Sequence, residues 1–144
     1  MRADYLNDNS GKSNLDAKCV NITADATLSA DQSGSFVSMD ANGVDITLPS
    51  ASPGLNFVIV QNGDYDTAVC TVVQAAASED FYGHVFSAEH ESAGTDGDTG
   101  ASGDTKITFS SASKRGDRVE LISDGSVWYV KAYVANYAGI TFDA

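Results

Sequence analysis

The residues of this sequence that come nearest to a metal-binding pattern are two histidines and their acidic neighbours. His84 and His90 lie close to Glu89 and Glu91, and imidazole nitrogens and carboxylate oxygens are common ligands of Zn²⁺. Metal ligands are normally held by rigid elements and supported by further partners, whereas the adjoining residues 94–103 are rich in glycine. We therefore interpret these four side chains as solvated loop residues, and we expect no metal site and no cofactor.

A second acidic pattern, Asp96-Gly-Asp-Thr-Gly, is similar to part of a calcium-binding loop. It lacks the alternating acidic ligands that continue through the fifth position of such a loop, and it also lacks the terminal glutamate. Calcium binding in this segment is an alternative that the sequence leaves open.

Two short motifs have known roles outside the cell. Arg115-Gly-Asp117 is the tripeptide used in cell adhesion, and Asn21-Ile-Thr23 fits the acceptor pattern for N-glycosylation. The first residues of the chain lack the apolar core of a signal peptide, so we expect synthesis in the cytoplasm. We interpret the first motif as a turn without a receptor role, and we expect Asn21 to be unmodified.

Catalysis requires a nucleophile beside a base, or two carboxylates that converge in a pocket. Both histidines are predicted in or beside a loop, and no nucleophile elbow is visible. Paired acids such as Glu79-Asp80 are numerous simply because the chain is acidic. We therefore expect no enzymatic activity, and a glycosidase that uses acids near Trp128 is the alternative left open.

The charge of the chain disfavours two classes of partner. Its 144 residues include 20 acids against 8 lysines and arginines, which gives a formal net charge of -12. Such a surface repels phosphate backbones and anionic lipid headgroups, and no apolar run approaches the ~20 residues that span a bilayer. We expect neither nucleic acid nor a membrane as a partner. Acidity suits the exterior of a particle, although adaptation to a saline habitat explains it equally well.

The two cysteines, Cys19 and Cys70, are expected to be free thiols. Because the chain is expected in a reducing compartment, two cysteines are more often small buried hydrophobic residues there than a disulfide.

The first 18 residues differ from the rest of the chain in charge and in pattern. They hold three cations and three acids, so the net charge belongs to the remainder, and they show no apolar period. We predict an extended N-terminal arm over residues 1–18 and a single β-domain over residues 19–144. The arm is expected to contact a partner, and the alternative is an ordinary frayed terminus. The candidate contact residues in it are Arg2, Tyr5, Leu6, Lys12 and Lys18.

From Cys19 onward, short segments of alternating apolar and polar residues predict about ten β-strands. Pro49 ends the fourth segment, and the apolar run at residues 55–60 predicts a central strand that is buried on both faces. The Asn-Gly pair at residues 62–63 predicts a hairpin in which residues 68–74 return antiparallel to that strand. No long helical period is present, so the predicted fold class is all-β: a single antiparallel β-sandwich or barrel-like, jelly-roll-like domain.

Two segments of the β-domain have unusual compositions. Residues 87–104 contain almost no large apolar side chain, which predicts a long exposed acidic loop. Residues 133–142 are rich in aromatic side chains, and we expect them to pack against another subunit through Tyr133, Tyr137 and Phe142.

Two stretches resemble a β-module that recurs in structural proteins of tailed phages. Residues 46–62 read ITLPSASPGLNFVIVQN, and residues 116–130 read GDRVELISDGSVWYV. In the module a strand ends in Leu-Pro, a Pro-Gly turn leads into a buried strand, and a final hairpin reads Val-x-Leu-Ile-Ser-Asp-Gly-x-x-Trp. The residues that match this signature here are Pro49, Pro53, Gly54, Asp124, Gly125 and Trp128.

The resemblance implies a trimeric head decoration (cement) protein that binds the major capsid protein on the outside of the virion and stabilises the head. Such a protein is non-enzymatic and is assembled on the particle in the host cytoplasm. Related modules also occur in tail-fibre proteins, which leaves a receptor- or glycan-binding domain as the alternative. In that alternative Tyr129, Tyr133 and Tyr137 would form an exposed platform for sugars. A cellular adhesin is a third possibility, weakened by the missing signal peptide.

Overall fold

The computed structural model describes residues 18–64, 68–89 and 101–144. These residues form twelve β-strands and a single short helical segment, the three-residue 3-10 turn Ala30–Gln32. The strands make two sheets that pack as a sandwich, so the predicted all-β sandwich is confirmed. The predicted arm lies outside the described residues except for Lys18.

Seven strands share the larger sheet: β1 Cys19–Ile22, β3 Ser35–Met39, β5 Asn56–Gln61, β7 Phe81–Ser87, β8 Ala101–Asp104, β10 Arg118–Ser123 and β11 Trp128–Val134. Their spatial order is β1-β3-β5-β10-β11-β7-β8. β10 is antiparallel to both of its neighbours, β5 and β11. β7 runs parallel to β11, and β8 then runs antiparallel to β7 at the edge.

Five strands form the smaller sheet: β2 Ala26–Thr27, β4 Asp45–Thr47, β6 Cys70–Val73, β9 Lys106–Phe109 and β12 Ile140–Asp143. Their order is β12-β9-β6-β4-β2. β4 ends just before Leu48 and Pro49, where the sequence predicted its end, because proline has no N–H to continue a ladder.

The first six strands alternate between the two sheets, so that the chain winds as a flattened coil. β1, β3 and β5 are parallel neighbours in one sheet, and β2, β4 and β6 are parallel neighbours in the other. Half of the ten strand pairings are therefore parallel, and the prediction of an antiparallel sandwich is wrong in this respect. The predicted hairpin at residues 62–63 is also wrong, because β5 and β6 lie in different sheets. A turn signal shows where the chain reverses, not which sheet it enters next.

The core lies between the sheets and is built by alternate residues of each strand. In β5, Phe57 and Ile59 point inward, while Val58 and Val60 on the other face are half-buried. The strand is central as predicted, but it is not buried on both faces. Trp128 has no exposed surface, and its ring lies 6.1 Å from that of Phe57. Apolar area removed from water in this way is the main favourable contribution to folding.

The two stretches that carry the signature meet in the structure. β10 and β11 form the predicted hairpin, with Ser123 opposite Trp128. The N–H of Gly54 donates to the Ser123 carbonyl at 2.8 Å, and the N–H of Ser123 donates to the Leu55 carbonyl at 2.9 Å. Gly125 has a φ of 103°, and a Cβ there would lie 2.9 Å from Pro53. Glycine is thus required for both conformation and space.

The predicted loop at residues 87–104 overlaps two strands. Ser87 still belongs to β7, and residues 101–104 form β8, which pairs with β7. Residues 90–100, with the pattern similar to a calcium loop, lie outside the described residues. β8 was missed because an edge strand that pairs through its backbone needs few large side chains.

The C-terminal aromatic segment belongs largely to the fold of its own chain. Its first residues complete β11, and its last residues are in β12, where Ile140 is fully buried and Phe142 packs against the core. Phe142 is only partly buried in its own chain, and its role as an anchor for another subunit stays a prediction. Both cysteines are free, as predicted: Cys19 is exposed and Cys70 is buried.

We predict that Trp128→Ala lowers the free energy of unfolding by about 3 to 5 kcal/mol, the range for deleting a buried large aromatic side chain. Urea unfolding followed by circular dichroism measures the change. Tyr129→Ala is the matched control, because this neighbouring ring lies on the opposite face and is 47% exposed. Equal losses in the two variants would contradict a core role for Trp128.

Candidate functional site

The solvent side of the larger sheet carries the candidate site, and we call it the outer face. Strand pairing aligns its residues in three rows across β10, β11 and β7. The first row is aromatic and apolar, the second is polar, and the third combines a cation with two rings. In order, the rows are Ile122, Tyr129 and Tyr82; Glu120, Lys131 and His84; and Arg118, Tyr133 and Phe86.

The outer face holds most of the exposed apolar surface of the described residues. Among the described residues, seven large hydrophobic side chains are substantially exposed. Five of the seven lie on the outer face: Phe36, Tyr82, Phe86, Ile122 and Tyr129. Single exposed apolar residues are normal, whereas a group of them on one surface indicates a binding site.

A groove of about 610 Å³ crosses the outer face above β5, β10, β11 and β7. Its apolar lining includes Val58, Ile122, Tyr129 and Tyr82, and its polar lining is formed by Asn56, Glu120, Lys131 and His84. Pockets that bind small molecules generally measure about 300 to 1,000 Å³. The groove has the size of a small-ligand site.

The local shape of β7 depends on a glycine. A Cβ on Gly83 would lie 1.8 Å from the carbonyl oxygen of Val130 on the neighbouring strand, so no side chain fits. On the other edge of β7, the register with β8 shifts between Phe81 and Tyr82, and such a bulge redirects nearby side chains. The bulge and the glycine lie directly before and after Tyr82 in the chain.

Asp124 holds the hydroxyl of Tyr129 at the end of the groove. One carboxylate oxygen of Asp124 accepts from the N–H groups of Ser126 and Val127, and the other accepts from the Tyr129 hydroxyl at 3.1 Å. The two backbone donors, followed by the hydroxyl, lower the pKa of Asp124 from its ordinary value of 3.8. The same hydrogen bond raises the pKa of Tyr129. Sequence alone identified Asp124 only as a turn residue.

The side chains in the third row of the outer face already contact one another. Phe86 and Tyr133 stack with their ring centroids 5.4 Å apart, and the Arg118 guanidinium lies 4.4 Å above the Tyr133 ring. Arg118 also approaches Glu120 at 3.4 Å. These rings already have partners, which leaves Tyr82 and Tyr129 as the rings at the groove.

Of the predicted contact residues, the structure describes Lys18, Tyr133, Tyr137 and Phe142. Lys18 donates to the carbonyl of Asp31 at 2.8 Å, and Tyr133 lies on the outer face. Tyr137 is exposed in the turn between β11 and β12. The remaining predicted contacts of the arm, Arg2, Tyr5, Leu6 and Lys12, lie outside the described residues.

The sequence analysis missed Tyr82 and Phe86 as surface residues. The alternation in Phe-Tyr-Gly-His-Val-Phe at residues 81–86 carried the signal, because period two places Tyr82, His84 and Phe86 on one face. The sequence could not show that these residues lie beside β11, because β7 and β11 are parallel strands that are distant in the chain.

The aspartate of the adhesion tripeptide is buried in this fold. Asp117 is only 3% exposed, and its carboxylate accepts from the Ser113 hydroxyl and from the N–H groups of Lys114 and Ala135. This carboxylate joins the loop before β10 to the residue that follows β11. The interpretation of the motif as a turn before β10 is confirmed.

The metal-binding alternative gains no support from the part of the chain that the structure describes. His84 is exposed on the outer face and Glu89 follows β7, while His90 and Glu91 lie outside the described residues. Within the described ranges no three histidine, cysteine or acidic side chains cluster as metal ligands would.

No protein-family model, no curated protein and no solved structure matches this chain. Across residues 18–64, 68–89 and 101–144 there is no helix with the length and apolar character required to cross a membrane. Its function is therefore inferred from its own residues.

We predict that Gly83→Ala destabilises the protein by about 1 to 3 kcal/mol, the usual effect of forcing extra atoms into a packed site. Without the clash, the substitution would stabilise by about 0.4 to 1 kcal/mol, because alanine restricts the unfolded chain. A lower urea midpoint for the variant would therefore confirm the clash, and a higher midpoint would contradict it. The control is His84→Ala, at the next residue, where the side chain points to solvent.

We predict that Asp124→Asn reduces the acid sensitivity of folding. Because the pKa of Asp124 is lowered in the folded protein, its carboxylate stabilises the fold above the unfolded value, and this contribution is lost as the pH falls through the folded pKa. Urea midpoints of both proteins from about pH 6 to about pH 2 measure it. The wild type should be the more stable at pH 6, and the difference should shrink on acidification. A difference that stays constant would contradict the assignment.

Proposed function

We propose that this chain is a virion structural protein, a decoration or cement protein that binds the outer surface of a tailed-phage capsid and stabilises the head. The observation that carries the proposal is the union of the two stretches that resemble the phage module. Residues 46–62 and 116–130 are far apart in sequence, yet β5 pairs with β10 and the turn at Pro53 packs against Gly125. The two stretches thus form one folded unit, and this supports the proposal.

The charge of the chain supports a place on the outside of a particle. A net charge of -12 keeps the protein away from packaged nucleic acid and from other acidic surfaces at long range. The arm, with three cations and three acids, escapes this repulsion. We assign it, residues 1–18, to contact with the major capsid protein or a neighbouring subunit.

The proposed assembly is a homotrimer, because three-fold positions of a capsid lattice select a symmetric ligand. The exposed ring of Tyr137 is available for contact between subunits. Binding to the assembled shell but not to free capsid subunits would stabilise the head by mass action.

The proposed function is binding without catalysis. Two acids beside the groove on the outer face already have structural partners: Asp124 accepts three hydrogen bonds, and Glu120 lies beside Arg118. A glycosidase would need two of these carboxylates directed at a substrate.

A receptor- or glycan-binding domain of a tail fibre is the second candidate. The observation that favours it is the groove on the outer face, with the exposed rings of Tyr82 and Tyr129. In this candidate the chain would sit on the tail and would bind host cells.

Immunogold labelling of virions with an antibody against this chain tests the first candidate. We predict gold on the head at a constant number per particle. Label confined to the tail would favour the second candidate, and unlabelled virions would refute both placements.

Heads that lack the protein should regain it when the purified chain is added. The variant without residues 1–18 should fold but bind with at least tenfold lower affinity, and unchanged affinity would contradict the role of the arm.

A further inference from the structure

Two exposed tyrosines line the groove from neighbouring strands. Tyr82 and Tyr129 are register partners in the parallel pair of β7 and β11, so their backbones are about 4.8 Å apart. They are 39% and 47% exposed, whereas Trp128, the residue before Tyr129, is completely buried. Exposed neighbouring rings form a platform on which the flat apolar face of a ligand can stack.

A polar row runs beside this platform. Glu120, Lys131 and His84 are successive register partners across β10, β11 and β7, one row away from the tyrosines. Together they offer a carboxylate acceptor, an ammonium donor and an imidazole that can do either. Asn56 adds an amide to the groove lining. The groove therefore joins an aromatic strip to a strip of donors and acceptors.

The charge of the groove selects the kind of ligand. One acid and one lysine line it, so its formal charge is zero with neutral histidine, in a chain of net charge -12. An anionic ligand would meet repulsion from the acidic body. Among the lining residues a cation would find only the Glu120 carboxylate, which already lies beside Arg118. An uncharged ligand that has an apolar face and many hydroxyl groups satisfies both strips of the groove.

We infer that the groove is a binding site for a neutral oligosaccharide, which stacks on Tyr82 and Tyr129 while its hydroxyl groups bond to the polar row. The inference deepens the glycan-binding candidate and rests on the groove alone, so it applies whether the chain lies on the head or on the tail. Failure of head labelling would leave it unaffected, and its own failure would leave the capsid proposal standing.

Asp124 acts in this site as a positioning residue. Its hydrogen bond to the Tyr129 hydroxyl restricts the ring before a ligand arrives, and restricting a binding group in advance lowers the entropic loss on association. The carboxylate is itself fixed by the N–H groups of Ser126 and Val127. The turn between β10 and β11 thus contributes to the orientation of the platform.

The test is titration calorimetry with neutral hexasaccharides of glucose, mannose and galactose, and with a sulfated hexasaccharide as the charged comparison. We expect at least one neutral sugar to bind and the sulfated sugar not to bind. Tyr82→Ala and Tyr129→Ala should each weaken binding at least ~10-fold, as expected for anchors at a binding site. The matched control is Phe36→Ala, because this exposed ring lies on β3 outside the groove lining. Urea midpoints establish that the variants remain folded.

The positioning role has its own measurement. Tyr129→Phe keeps the ring and removes the hydroxyl, so it and Asp124→Asn should weaken binding by the same factor, and the double variant should be no weaker than either. Additive effects would overturn the role of Asp124.

The saccharide inference is overturned if no neutral sugar binds, or if binding survives both alanine substitutions. It is equally overturned if those substitutions instead abolish a concentration-dependent self-association seen by sedimentation, because the face would then be an interface between copies.

Discussion

The pairing of β10 with strands on both of its edges is the constraint on which the larger sheet depends. β10 joins β5, the last strand of the coil in this sheet, to β11, and through β11 to β7 and β8. Without it the sheet would divide into two three-stranded pieces. The hydrogen bonds of β10 are covered on the inner side by Phe57 and Trp128, so backbone pairing and core packing support each other at the centre of the fold.

The same junction creates the groove. Its lining comes from β5, β10, β11 and β7, which are consecutive in space but come from three separate parts of the chain. Gly83 and the bulge beside Tyr82 modify the regular sheet where the groove needs a particular shape. A site built on central strands is held more firmly than one built on loops, because each strand is fixed by two neighbours.

Charge separates the surfaces of this protein by function. The acidic body favours solubility and limits non-specific contact, while the groove carries balanced charge and exposed rings. The proposed capsid contact uses the charge-balanced arm, and the proposed saccharide site uses the outer face. The two functions are compatible, because they place demands on different residues.

Much of this fold could be predicted from local sequence. Period-two alternation located most of the strands, Pro49 ended β4, and the turn at Asp124 and Gly125 correctly predicted the hairpin of β10 and β11. These features depend on residues that are close in the chain and on the tendency of apolar side chains to leave water.

The tertiary structure alone decided which strands became neighbours. The Asn-Gly pair at residues 62–63 predicted a hairpin, but β6 crosses to the other sheet and pairs with β4 and β9. The sequence of a strand does not show which distant strand will lie parallel to it, since any strand with the right alternation can occupy that position in the sheet. For the same reason the sequence did not place Tyr82 beside Tyr129, and only the pairing of β7 with β11 made them one surface.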